Sequence, residues 1–332
     1  MNQVDVRGFK VLSTLVALSV LPAAASLAAA PAAAAEWQPQ KPVEMVIMAD
    51  QGGGADRLAR LFQSIIQEEN LADMPFVPIN KGGGSGAEAL RYLKDSAGDP
   101  HIVMATLNSY YTTPLRTDIG VDIAEFTPLA RMALDTFVLW VNADSEVTNL
   151  DEFVAAVKAA DGSWKMGGTG SGQEDELITG MLEREFGLEF TYVPFEGGGE
   201  VAKQLVGGHI DSSVNNPSEA LGFLEAGLVR PIATFTPERL AALPDVPTMP
   251  ELGHDLTYFM QRSFVAPPDI PAEAQAYYID LFTRLSETEA WQTYAAEQSL
   301  ETDFITGDEL QAFLLENRDK HEALLRELGE ID

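Results

Sequence analysis

The 332-residue chain has no cysteine, only four histidines, and 21 basic residues against 51 acidic ones. Without cysteine there is no disulfide scaffold, thiol enzyme, zinc-thiolate site or lipid-anchored cysteine at a processed N-terminus. The shortage of lysine and arginine leaves a formal charge of −30. Such a field repels polyanions, so nucleic acid and anionic membrane are not expected partners. It also repels an anionic ligand at long range, so anion binding has to come from short-range geometry. His101, His209, His254 and His321 form no His-x-x-x-His or His-x-His pair, and neither a metal nor a cofactor is expected.

Long apolar runs are also missing once the first 35 residues are passed. Those residues carry Arg7 and Lys10, then "VLSTLVALSVLPAAASLAAA", then Ala33-x-Ala35. This order of basic, apolar and small residues reads as a secretory signal peptide cleaved after Ala35, leaving an exported chain that is not lipid-anchored. What remains is long enough for two lobes with ordinary cores.

Apolar, β-rich runs alternate with helical patterns, which predicts an α/β architecture on parallel sheets. "VEMVIMA", "MPFVPIN", "HIVMATL", "TFVLWVNAD", "SWKMGGTG", "FTYVPF", "IDSSVNN" and "VRPIATF" read as strands. Leu58, Leu61, Phe62, Ile65 and Ile66 recur at helical spacing. Further helices are expected at "NLDEFVAAVKAA", "EDELITGMLEREF", "GEVAKQLVGG" and "SEALGFLEAG", and two more close the chain.

Glycine runs recur at residues 52–54, 82–86, 167–172 and 197–199, each after a strand-like run and before a helix. Glycine lets backbone approach a ligand closely, and the first amides of a helix lack intrahelical partners. In open α/β sheets such loops gather at the carboxyl ends of the strands, where ligands bind. The four turns therefore point to one anion-friendly cleft.

Three chemistries use such loops. A phosphate cradle needs G-x-x-x-x-G-K-S/T and a dinucleotide site needs G-x-G-x-x-G; no glycine run here has either form. A serine hydrolase needs G-x-S-x-G with a histidine partner. "Gly83-Gly84-Ser85-Gly86-Ala87" ends in alanine, and Ser171 is flanked by glycines at the wrong positions. A hydrolase is the weaker reading, no catalytic residue is assigned, and carboxylate binding remains.

The ordered set "GGGADRLAR", "NKGGGSGAEAL", "GGTGSGQEDELITGMLE", "YVPFEGGGEVAKQLVGGHIDSSV" and "LPDVPTMPELG" resembles the periplasmic solute receptor of tripartite tricarboxylate transporters, the Bug family. The likeness spans about residues 40–330. It implies a type II periplasmic-binding-protein fold, two α/β lobes around a ligand cleft. The crossings between lobes are placed near "TFVLWVNAD" and "YFMQRSFVAPP", giving 36–142 plus 260–332 as lobe 1 and 143–259 as lobe 2. It further implies a monomer that captures a small carboxylate by lobe closure and delivers it to a large and a small membrane subunit. The alternative is a sensory receptor that presents the bound carboxylate to a sensor kinase.

Carried onto this chain, the resemblance makes the Gly53, Gly54 and Ala55 amides carboxylate donors. Asp56 is either a ligand contact or an acid favoured by the helix start. Gln51 stands where the family usually has proline. Thr169, Gly170 and Ser171 match the family's second carboxylate loop. The histidine that many members place three residues later is replaced here by Gln173-Glu174-Asp175. Those acids read either as first-turn helix residues or as partners of a ligand donor group. Asn108 and Ser109 after "HIVMATL", and Asn216 after "IDSSV", fall at strand ends and complete the candidate set.

Overall fold

The computed structural model describes residues 37–332; the leader and its expected cleavage point lie outside them. Three strand–helix units come first: β1 (Val43–Ile47) and α1 (Gly54–Glu68), β2 (Phe76–Asn80) and α2 (Ala87–Asp95), β3 (Ile102–Thr106) and α3 (Ser109–Arg116). β1 is parallel to both neighbours, with Ile47 level with Asn80 and Ala105. Every residue of β3 is buried, as a parallel strand covered on both faces requires. α1 turns Leu58, Phe62, Ile65 and Ile66 into the core, the stripe its sequence spacing predicts.

β4 (Thr127–Thr136) leads to β5 (Val138–Asn142), α4 (Leu150–Ala159), β6 (Lys165–Thr169), α5 (Glu174–Phe186), β7 (Thr191–Phe195), α6 (Gly198–Val206), β8 (Ser212–Asn215), α7 (Pro217–Glu225) and β9 (Val229–Thr234). The chain then supplies β10 (Phe259–Ala266), α8 (Ala272–Ser286), α9 (Glu289–Glu297), β11 (Ile305–Thr306) and α10 (Gly307–Glu327). Two sheets result, ordered β11-β4-β10-β3-β1-β2 and β7-β6-β8-β5-β9.

The expectation of parallel sheets needs correcting. β10 runs antiparallel to β3 and β4, β11 antiparallel to β4, and β5 antiparallel to β8 and β9. Each sheet keeps a parallel trio, β2-β1-β3 or β7-β6-β8, and adds antiparallel strands, of which β4 and β5, and β9 and β10, flank the passages between the sheets. β4 has no counterpart in the sequence reading because Arg131 and Asp135 interrupt its apolar pattern. Both are nonetheless buried. The Arg131 guanidinium stacks 4.3 Å from the Phe313 ring centroid and donates to the Asp303 carbonyl, while Asp135 meets Arg262.

Phe137 alone separates β4 in one sheet from β5 in the other. Val138–Asn142, which the sequence reading closed into the first segment, hydrogen-bonds to β8 and β9 and so runs in the second sheet. The return crossing lies alongside: the Phe235 amide donates to the Phe137 carbonyl at 3.1 Å, and the Tyr258 amide to the Phe235 carbonyl at 2.9 Å.

Candidate functional site

Four helices, α1, α5, α6 and α7, begin around one cavity between the two sheets, lined by Gly53, Gly54, Ala55, Glu174, Asp175, Gly197, Gly198, Asn216 and Glu219 among others. The cavity encloses about 60 Å³, room for about four water molecules at roughly 15 Å³ each. The loops that close it meet backbone to backbone. A Cβ on Gly199 would lie 3.3 Å from the Gly52 carbonyl, and one on Gly197 would lie 3.9 Å from the Gly53 amide.

The first wall comes from the turn after β1. Gly52 takes φ +89°, a left-handed conformation open to glycine at little cost, and Gly53 caps α1. Asp56 does not line the cavity. Its carboxylate turns back to accept the Gly52 amide (3.0 Å), Arg60 Nε (2.9 Å) and Asn80 Nδ2 (3.0 Å). Burial pushes its pKa up, but these donors together outweigh burial and hold it below the usual value.

The Gly54 amide crosses the cleft to Glu219 Oε1 at 3.3 Å. Glu219 stands in the first turn of α7, and its Oε2 accepts from Asn215 Nδ2 at 3.1 Å. A Cβ on Gly198 would overlap the Glu219 carboxylate, so this position requires glycine if Glu219 is to reach its place.

α5 forms the opposite wall. Asp175 Oδ2 accepts the Thr169 amide at 2.7 Å and the Thr169 hydroxyl at 3.1 Å. Glu174 Oε1 accepts the Ser109 amide, at the start of α3, at 3.0 Å. Glu174 Oε2 is buried without a hydrogen-bond partner. Burial raises the pKa of Glu174, Asp175 and Glu219, and the Glu219 charge adds to the rise at Asp175.

Arg262, from β10, is the basic residue on the lining. It donates to Asp135 through Nε (3.0 Å) and Nη2, and to Asn216 Oδ1 at 3.3 Å. Burial alone would lower its pKa; Asp135 and then Glu219 more than offset that and raise it. Asn216 Nδ2 in turn donates to the Thr136 carbonyl at 2.7 Å, tying the start of α7 to the crossing.

Of the sequence-derived candidates, Gly53, Gly54, Ala55, Thr169 and Asn216 meet at the cavity. Asn108 is spent on the interior: it donates to the Phe259 carbonyl (2.8 Å) and Tyr258 hydroxyl (3.1 Å), and accepts from the Gln261 amide (3.0 Å) and Tyr111 hydroxyl (2.7 Å). Ser109 reaches the site through its amide, and its hydroxyl is buried without a partner. Gly170 sits at φ +50° with its amide on the Phe195 carbonyl. Ser171 is exposed, and its carbonyl accepts from Ser85 Oγ at 3.0 Å across the cleft mouth. Asp50, Glu196, Glu219 and Arg262 also line the cavity, and the sequence reading did not single them out. Glu219 offered one signal, an acid following the strand-end asparagines; Arg262 offered none beyond its place in the second crossing. Among the described residues, no histidine lines the cavity.

A family model described as the tripartite tricarboxylate transporter family receptor matches residues 59–330. Among curated proteins, the chain is 28% identical to the UPF0065 protein in gbd 5'region of Cupriavidus necator, covering 92% of this chain and 94% of that one. It is 24% identical to protein BugT of Bordetella pertussis, covering 89% and 91%. Among solved structures, an R. palustris protein with adipate superposes with a TM-score of 0.81 at 24% identity, covering 88% of this chain and 98% of that one. MatC from Rhodopseudomonas palustris with bound malate gives 0.77 at 20% identity, covering 86% and 99%. These structural likenesses establish the fold, α/β elements on two sheets as in those two proteins.

Proposed function

The chain belongs to the tripartite tricarboxylate transporter receptor family, whose members are solute-binding receptors, and from that membership we propose that it captures a small organic acid in the cleft between its two sheets. Delivery then goes to the large and small membrane subunits of such a transporter, by a monomer acting outside the cytoplasm once residues 1–35 have been removed. The observation that carries this reading is the convergence of four helix starts on one cavity. First-turn amides and the positive ends of helix dipoles favour a carboxylate at that point. The adipate and malate bound by the two structural relatives are ligands of that chemistry.

Gly53, Gly54 and Ala55 supply amides from one side, with Arg262 and Asn216 beside them, and Thr169 closes from the other. Gly170 and Ser171 shape the second loop, while Asp56, Asn108 and Ser109 hold the walls. The two sheets are the cores of lobes that open and close about the adjacent crossings at Phe137 and Phe235–Tyr258, so that closure lets both walls donate to one ligand. Charge-assisted hydrogen bonds contribute about 1.5–3 kcal/mol each. Four or five are enough for micromolar binding, about 8 kcal/mol, after the cost of association.

The test is a thermal-shift screen of the protein without its leader against mono-, di- and tricarboxylates, amino acids, sugars and nucleotides. A ligand at a hundred times its Kd adds about 2.7 kcal/mol, which raises Tm by a few degrees. A shift confined to carboxylate-bearing compounds supports the proposal. A response to sugars or nucleotides alone overturns it.

A further inference from the structure

The cleft holds more negative charge than an acid-binding site calls for. Glu174, Asp175 and Glu219 are 1%, 3% and 9% exposed, and none is in an ion pair among the described residues. Asp50 and Glu196 line the same cavity. The one lining base, Arg262, is already committed to Asp135. Two of the amides on lining residues are occupied by the chain's own acids, Gly54 by Glu219 and Thr169 by Asp175.

Helix-dipole compensation explains Asp175, which closes back on the loop before its own helix. It explains only part of Glu174. Its own amide and those of Ser109 and Asn108 favour the charged carboxylate, but the side chain also reaches to a different segment at Ser109, and its second oxygen is buried with no hydrogen bond of its own on a residue that lines the cavity. A buried acceptor left unpaired is costly, and a group that supplies hydrogen-bond donors with positive charge removes the cost.

We infer that the ligand of this cleft is a zwitterion, with an ammonium group seated against Glu174 Oε2 and facing Glu219, and a carboxylate on the first-turn amides of α1 and α6. The inference rests on the receptor reading above and narrows its ligand class away from simple dicarboxylates. Burial raises the pKa of all three acids by more than Arg262, which acts on Glu174 and Glu219, and Arg57, which acts on Glu219, bring it down; an ammonium in the cleft would lower them further. The small cavity favours short compounds.

The experiment is calorimetric titration of the protein without its leader using three matched pairs, in which a carboxylate replaces the ammonium group: glycine and malonate, 3-aminopropanoate and succinate, 4-aminobutanoate and glutarate. At least one amino acid is expected to bind ten times or more tightly than its diacid. Glu174→Gln keeps an acceptor for the Ser109 amide but removes the charge, and is expected to weaken that amino acid at least tenfold; Glu219→Gln gives an independent reading if the first variant does not fold. Binding of the diacids alone, strengthened by either substitution, would mean that neutral acid groups receive a ligand carboxylate. That outcome overturns the inference and leaves the receptor reading standing. Amino-acid binding unchanged in both variants overturns the assignment to these acids. If no carboxylate-bearing probe binds, the receptor reading fails with it.

Discussion

Replacing Asp135 with asparagine tests the energetics at the base of the cleft. Asp135 and Arg262 are 2% and 3% exposed and meet through two donor atoms of the guanidinium. The second carboxylate oxygen accepts the Thr136 amide at 2.9 Å. Asparagine cannot offer an acceptor to both Arg262 and Thr136 without aiming its own amide at a donor. Whichever way it turns, Arg262 is left buried and charged without its counter-charge, and if the oxygen stays on Thr136 its single acceptor is Asn216 Oδ1 at 3.3 Å. Breaking one side of a buried pair costs about 3–5 kcal/mol. Glu219 also attracts Arg262, which places the expectation toward about 3 kcal/mol. For a chain of this size that is a fall in Tm of about 5 °C. The assay is urea unfolding followed by circular dichroism, with the m-value unchanged so that the shift in midpoint measures stability. The double variant Asp135→Leu, Arg262→Met removes both charges and should recover most of the loss. A loss under about 1 kcal/mol for the single variant, or a double variant less stable than the single one, refutes the reasoning.

His321 is buried, receives the Tyr258 hydroxyl on Nε2 at 2.8 Å and donates from Nδ1 to the Asn317 carbonyl at 2.8 Å. Burial pushes its pKa down to about 4; its contribution is therefore full above the unfolded value near 6.5 and is lost as pH falls toward 4, by about 3 kcal/mol. Unfolding titrations from pH 7 to 4 should show His321→Phe with a shallower decline than the parent, and parallel curves would sink this account. Gly198→Ala places a methyl against the Glu219 carboxylate and forces it out of its bonds to Gly54 and Asn215, so ligand affinity should fall at least tenfold and stability by about 1–3 kcal/mol. Calorimetry that returns parental affinity would refute it. Gly167→Ala drives a methyl into Ile210 Cδ1 and should destabilise by about 1–3 kcal/mol; adding Ile210→Val, which lacks that carbon, should restore part of the loss in the same urea assay.

The strand–glycine–helix units were legible because their signals are local: an apolar run, a turn that needs glycine, then residues at helical spacing. α5 runs over the residues of "EDELITGMLEREF", and the α1 core face is the one its sequence predicts. β4 and β10 were not read as antiparallel neighbours, since their pairing joins residues more than a hundred positions apart and β4 carries two buried charges. The same distance hid the site's acids. Glu219 meets Gly54 across 165 positions, and nothing near either residue announces the contact. Glu174 looks like any acid in a first helical turn until its hydrogen bond to Ser109 separates it from Asp175.

The strand order of the first sheet sets a schedule for synthesis. β10 lies between β4 and β3, so the sheet stays in two pieces until residue 266 has emerged. The second sheet is built from one unbroken stretch, β5 to β9, and can be completed earlier as the chain appears N-terminus first. A chain cut short before Phe259 would thus carry a finished second sheet beside a β3 edge with no partner, the kind of edge that invites pairing with other chains. Quality control of this protein is a matter of its last quarter, far in sequence from the glycine turns that line the cleft.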